Sequence, residues 1–320
     1  MYKFWLYLAS FLRPFNFKDI DDDHMLIKLN VLSFYPKFIR HYILNKQDDL
    51  NYHILYKYAN KPEILEKLIK LGSDVNLVSE QLYPVNILYR TKNPDSLHVL
   101  LKYGVDYNFL SNDLNVLFST DIKAEVIQIL AKLPDFNIMH RDSQGKTALF
   151  RRSGDVAKAF IENGIDVNAV NHNGQTALFF SHYEPTEYFI SQGADVNIID
   201  NEGNNALFYD FNSAYDSTNN KKRMLALLNA GIDYTVVNHK GFNAFYKKSD
   251  EVVDLFIDYG VPVPNNIHQY ELTPKSTKKL AQLYKTLKEK ETLFSTIINN
   301  ENNTLRIKKR LWLFCLFAII

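Results

Sequence analysis

The sequence predicts an all-α protein, a solenoid of stacked helix–loop–helix repeats. Three observations predict it. A Gly-x-Asp-x-Asn motif recurs, in Gly72-Ser-Asp-Val-Asn76, Gly104-Val-Asp-Tyr-Asn108, Gly164-Ile-Asp-Val-Asn168 and Gly193-Ala-Asp-Val-Asn197. A second, turn-like motif recurs out of phase with the first. Each motif glycine is preceded by an apolar segment with helical spacing. Self-similarity at this scale marks a protein built one supersecondary unit at a time, each burying its apolar face against the next.

Weaker copies extend the first motif. They are Gly231-Ile-Asp-Tyr234, Gly260-Val-Pro-Val263 and Pro134-Asp-Phe-Asn137, the last without its glycine. The second motif reads Asp142-Ser-Gln-Gly-Lys-Thr-Ala-Leu-Phe150, Asn171-His-Asn-Gly-Gln-Thr-Ala-Leu-Phe179, Asp200-Asn-Glu-Gly-Asn-Asn-Ala-Leu-Phe208 and Asn238-His-Lys-Gly-Phe-Asn-Ala-Phe-Tyr246. Its Asp/Asn-x-x-Gly start is turn chemistry: the first side chain bonds nearby backbone and glycine tolerates positive φ. Thr147 and Thr176 stand where a helix N-cap is wanted. Leu149, Leu178 and Leu207 follow as core residues.

The longer helix of each unit opens on proline or acid, in Pro62-Glu63, Pro94-Asp95, Asp155, Pro185-Thr-Glu187 and Asp250-Glu251. Proline suits a first helical turn, and carboxylates suit the positive end of the helix dipole. Apolar residues then recur at i, i+3 and i+4, as in Ile64, Leu65, Leu68 and Ile69. Glycines 72, 104, 164, 193, 231 and 260 stand at the helix C-termini.

On these residues the sequence resembles the ankyrin repeat family over roughly residues 45–263, about seven units. The resemblance implies a β-turn finger and two antiparallel helices in each repeat of about 33 residues. It also implies partner binding on the concave face, formed by fingers and first helices. The composition, rich in Asn, Lys, Ile and Phe, is similar to ankyrin proteins of intracellular bacteria such as Rickettsia, or of large DNA viruses. That likeness would make the partner a host protein and this protein an effector.

Departures from the family pattern are expected to matter locally. Turn glycines Gly145, Gly174, Gly203 and Gly241 lie 29, 29 and 38 residues apart. The two short repeats lose about one helical turn, leaving a first helix of about two turns. Phe150, Phe179 and Phe208 are expected to compensate by packing. The long interval places extra residues around Tyr209–Asn220, read as a surface loop or an irregular helix extension. The unit between Asp49 and Asp74 is expected to join two helices without a finger.

The ends are expected to be non-repeat. Residues 1–44 read as an N-terminal helical cap. A secretory signal or an interfacial segment stays open for residues 1–15. Residues 264–303 read as a C-terminal helical cap, with a helix after Thr273-Pro274 and a break at Asn299–Asn303. Residues 304–320 form a tail in which Arg306 and Lys308-Lys-Arg310 precede ten apolar residues. Ten residues span about 15 Å as a helix, too short for a membrane of about 30 Å. Weak, salt-sensitive lipid contact through residues 306–320 therefore stands beside docking on the fold.

Little points to chemistry. The net charge of +1 offers no bulk attraction for nucleic acid, and the single Cys315 excludes an internal disulfide framework. His172 and His239 repeat at one finger position two repeats apart, about 20 Å, too far to share a metal. The periodic aspartates, Asp74, Asp106, Asp135, Asp166, Asp195 and Asp233, read as loop organisers. The expectation is a monomeric, cytoplasmic protein without catalytic residues, cofactor or metal. Its favoured role is a protein-binding adaptor or scaffold. The alternatives are a peripheral membrane effector held by the tail, and a ubiquitin-ligase substrate adaptor, although residues 265–320 do not resemble an F-box.

Two sets of residues are expected to meet a partner. The first follows each Ala-Leu-Phe motif or its equivalent: Arg90, Ser119, Arg151, Phe180, Tyr209 and Tyr246. The second lies at the fingertips: His172, Asn173, Glu202, His239 and Lys240. Arg and Tyr favour such places because they combine large contact area with hydrogen bonding.

Overall fold

A computed structural model describes residues 29–30, 32–34, 36–45, 53–79, 84–150, 152–209 and 217–300. The side chains of residues 39, 42, 217–218 and 294–300 are not among those described. The tail at 304–320, the segment 1–15, Arg151, most of the extra residues before Ser217 and the remainder of the expected break after Asn300 lie outside the described residues.

The protein forms two compact units, residues 1–166 and 167–320. In the first, α1 (Lys37–Leu44), α2 (Ile54–Lys57), α3 (Pro62–Leu71), α4 (Pro94–Lys102), α5 (Ala124–Leu130) and α6 (Gly154–Glu162) follow in order. Helix α3 packs on α1 and α4, α4 on α5, and α5 on α6. In the second, α7 (Tyr183–Ser191), α8 (Ser217–Asn229), α9 (Asp250–Asp258) and α10 (Pro274–Asn300) follow. There α7 packs on α8, α8 on α9 and α9 on α10. Both units are thus helices stacked on sequence neighbours, with no named strand among the described residues.

Helix α3 shows why these segments are helical. Pro62 and Glu63 occupy its first turn, and Ile64, Leu65, Leu68, Ile69 and Leu71 are buried. Each such side chain contributes about 1.5–3 kcal/mol by leaving water. Gly72 ends the helix at φ 115°, while Ser73 N–H donates back to Leu68 O at 3.1 Å. Helix α4 starts on Asn93, whose side chain accepts from the backbone N–H of Asp95 and Ser96. Where the motif glycine is absent, Asp135 takes the left-handed backbone at φ 61°.

In the short repeats the first helix is shorter than the two turns expected: Ala177–Phe180 is a single 3-10 turn and residues 148–150 form only a turn. Single 3-10 turns also stand at Ile87–Arg90, Val116–Phe118 and Ala206–Phe208. Extra residues shape α8, which begins at Ser217 and carries Ser217–Asn220 in its first turn. Helix α10 runs through Asn299 and Asn300, so the expected break does not begin there.

Shortening has an energetic consequence. A 3-10 turn leaves carbonyls with an unused or weakly used acceptor site, and buried carbonyls favour further donors. Basic residues supply them. Arg223, fully buried, donates to Leu178 O (3.2 Å), Ala206 O (3.2 Å) and Tyr209 O (2.8 Å). Buried Lys248 donates to Phe208 O at 2.9 Å. In the first unit, Arg152 donates to Leu117 O and Ser119 O, each at 3.0 Å.

Candidate partner-binding site

The turns between helices are built by asparagine and aspartate. Asn171 Oδ1 accepts from the N–H of Asn173 (2.9 Å) and Gln175 (3.0 Å). Asp200 Oδ1 does the same for Glu202 and Asn204, both at 2.9 Å. Asn238 Oδ1 repeats it for Lys240 (3.1 Å) and Phe242 (3.0 Å). Successive turns are tied through the backbone. Asn201 N–H donates to Asn173 O at 2.9 Å, and His239 N–H to Glu202 O at 2.9 Å. A row of turns held at both base and tip presents its outward residues in a fixed order.

At the tips, His172, Asn173, Glu202, His239 and Lys240 are all exposed. Lys240 Nζ lies 3.2 Å from the Glu202 carboxylate, an exposed pair. Such pairs contribute little stability, so this one chiefly sets the direction of its two members. One position before each turn, the residues are apolar and open to water. Val170 is 40% exposed, Ile199 54% and Val237 59%, against the buried norm for such residues. Leu110 holds the comparable place in the first unit and is 44% exposed. Sequence reasoning missed this apolar set. The signal was present, because each residue directly precedes the Ser, Asn or Asp that starts its turn.

The row after the Ala-Leu-Phe motifs is less open. Arg90 is exposed, whereas Ser119, Phe180, Tyr209 and Tyr246 are half-buried. Phe180 and Tyr209 do come together, with ring centroids 6.3 Å apart. The Tyr209 hydroxyl is committed inward. It donates to the buried Asp200 carboxylate and accepts from Gln175 Nε2 at 2.7 Å. Burial, followed by the Asp200 bond and charge, pushes the Tyr209 phenol up to about 12. Tyr246 stacks on Phe242 at 4.3 Å, and its hydroxyl donates to Glu271 Oε1 at 2.8 Å. A hydrogen bond from Lys247, then one from Tyr246, holds the Glu271 carboxyl below its usual range.

Thr176 stands at the N-cap position, as expected, but its hydroxyl makes no cap bond. Asparagine caps three of the other turns of this kind, at Ile87–Arg90, Val116–Phe118 and Ala206–Phe208, and the turn at 244–247. Asn86, Asn115, Asn205 and Asn243 accept from the N–H two residues on (3.1, 3.2, 3.1 and 3.2 Å). The same amides donate to Asp106 O, Asn137 O, Asp233 O and Pro262 O.

Among the described residues, no group of three or more His, Cys, Asp or Glu converges to hold a metal ion. None of the described helices is long and apolar enough to cross a membrane. A hollow along α10, lined by Tyr284, Lys285, Lys288, Glu289, Thr292 and Leu293, draws all these residues from one helix.

No protein-family model matches this sequence, and a search of curated proteins finds no match. Among solved structures, the protein is similar to the human ASB11 ankyrin repeat domain. The TM-score is 0.50 and the identity 20%, covering 66% of this protein and 100% of that one. The likeness shows an all-α, ankyrin-repeat-like stacking of helix pairs. It does not single out a bacterial or viral subfamily.

Proposed function

We propose that the protein is a non-catalytic protein-binding adaptor or scaffold that meets its partner through the turn tips of residues 167–240. One observation carries the reading: Val170, Ile199 and Val237 are exposed at one repeat position, each beside a polar tip. Exposed apolar residues that recur in register within a polar rim have the composition of an interface. The ankyrin-like fold supports the reading, since such repeats present variable residues on a constant frame. Phe180 and Tyr246, both half-buried, extend the same proposed surface. Tyr209 contributes mainly by holding the turn. In the effector reading that partner is a host protein, and the protein acts as a monomer without cofactor.

The test replaces Ile199 and Val237 together with aspartate in the full-length protein. Both residues face water, so the melting temperature should stay close to that of the parent. A partner captured by the parent should bind the double variant at least about tenfold more weakly, since central apolar contacts carry most interface energy. Equal capture by parent and variant would remove this surface from the proposal. Lys285→Asp on α10 serves as the control for added negative charge.

A further inference from the structure

The fold forces the sequence Asn173-Gly174 onto the tip of a turn. Gly174 has φ +77°, and a Cβ there would meet Asn201 Oδ1 at 2.8 Å and Asn201 N at 3.2 Å. Any L side chain there is strained and crowded. The residue after Asn173 therefore has no side chain to shield its nitrogen. Asn173 is itself exposed, and its side chain makes no hydrogen bond among the described residues. Its backbone does the structural work, with the N–H on Asn171 Oδ1 and the carbonyl taking Asn201 N–H.

The sequence holds one other such dipeptide, Asn163-Gly164. There the amide nitrogen of Asn163 donates to Ala159 O at 2.7 Å, at the end of α6. That bond holds the side chain back along the helix.

We propose that Asn173 is a deamidation site of the native protein, and that Asn163 is protected. The Gly174 backbone nitrogen attacks the amide carbon (Cγ) of Asn173. The new N–Cγ bond forms as the Cγ–Nδ2 bond breaks; the Gly174 nitrogen gives up its proton through solvent, and Nδ2 takes one up and leaves as ammonia. Water then opens the resulting succinimide at either carbonyl, giving aspartate or isoaspartate. No oxidant or reductant is needed. The Gly174 N–H bond to Asn171 O, 3.0 Å, must open first, so the rate follows opening of this turn. In the isoaspartate product the backbone gains a methylene. The carbonyl that accepted Asn201 N–H becomes a free carboxylate. Both products place a negative charge on the tip, beside His172 in sequence and against the turn of Asn201. The chemistry stands on the turn alone; its effect on a partner rests on the function proposed above.

Incubation of the full-length protein in mildly alkaline buffer below its melting temperature, followed by peptide mass analysis and isoaspartate-specific methylation, tests it. The peptide carrying Asn173 should convert several-fold faster than the one carrying Asn163. In urea the two should converge, because the local sequences are then equally free. Faster or equal conversion of Asn163 in the native protein overturns the proposal. So does native inertness of Asn173 when the unfolded protein reacts, or methylation that persists at this turn in Asn173→Gln. Conversion that leaves partner capture unchanged supports the modification and counts against the tip surface, so the two failures separate.

Discussion

Asn76 holds Asp106 across the boundary between two repeats. Its Oδ1 accepts the Asp106 N–H at 2.6 Å, while its Nδ2 donates to Gly104 O at 3.0 Å. One asparagine amide thus mimics a strand of backbone and pins the next loop. Asn45 does this for Gly72 and Asp74, Asn168 for Gly193 and Asp195, and Asn197 for Gly231 and Asp233. The aspartates then turn inward on their own loops: Asp74, Asp106 and Asp195 each accept the N–H two residues on.

Removing such a bridge should loosen two repeats at once. Asn76→Ala should lose about 1 kcal/mol, the usual net worth of exposed hydrogen bonds lost together. Asn108→Ala, at the same motif position, should stay within about 0.5 kcal/mol, as surface changes usually do. Asn108 donates only its backbone N–H to Asp106 Oδ1, at 3.0 Å, and its side chain is not used in this way. Urea unfolding of both variants checks the difference, and equal losses would refute the bridging role.

Legibility in the sequence followed locality. Gly72, Pro62 and the Leu65–Leu68 spacing act within one helix, so helix ends and core faces could be read directly. Asp74 and Asp106 could be read as loop organisers from their period alone. The reach of Asn76 into the following loop could not, because it depends on how far one repeat lies from the next. Arg223 was hidden for a related reason. Within Lys221-Lys-Arg-Met224 it resembles a solvated helix face, and only the shortness of the Ala206–Phe208 turn creates the carbonyls that need it. Tyr209 was read as a contact residue from its place after Ala-Leu-Phe, while the hydroxyl's bond to Asp200 lies in the tertiary structure.

Arg223 should therefore behave as a core residue. Arg223→Met keeps much of the volume but strips the donors from Leu178 O, Ala206 O and Tyr209 O. The expected loss is about 1–3 kcal/mol, the cost of leaving a buried acceptor short of a donor, because Leu178 O keeps the Ser181 N–H and hydroxyl and Ala206 O keeps the Tyr209 N–H. Lys222→Met, next to it and exposed, should change stability by less than about 1 kcal/mol. Chemical denaturation of the two reads the contrast, and a tolerated Arg223→Met would sink the capping account.

Glycines with the same backbone sign should differ in tolerance. Gly193 has φ +83° with nothing within 4 Å of an added Cβ. Gly193→Ala should cost only the left-handed penalty, about 1–2 kcal/mol. Gly174→Ala adds crowding, because its Cβ would lie 2.8 Å from Asn201 Oδ1, which can swing away, and 3.2 Å from Asn201 N, which cannot. It should lose at least about 1 kcal/mol more, the scale of forcing a packed site to shift. Thermal melts in the order parent, Gly193→Ala, Gly174→Ala would agree; the reverse order for the two variants would not.

Alkaline titration should expose the buried phenols. Burial pushes Tyr89 up to about 12, and burial with the Asp200 bond pushes Tyr209 up to about 12, from an ordinary 10.0. A raised phenol favours the neutral form in the folded state, while the unfolded protein ionises at the ordinary value. Their contribution to stability is therefore complete below about 10 and lost as pH rises towards about 12. Tyr209→Phe removes one of the raised phenols, which also include Tyr56, Tyr183 and Tyr270. It should start less stable at neutral pH, because buried Asp200 loses a donor, and then fall less steeply above about pH 10 than the parent. Denaturant unfolding at a series of alkaline pH values reads both effects. Parallel curves for parent and variant would mean that Tyr209 ionises in the folded protein as freely as in the unfolded one, and that its inward hydroxyl does not hold the turn.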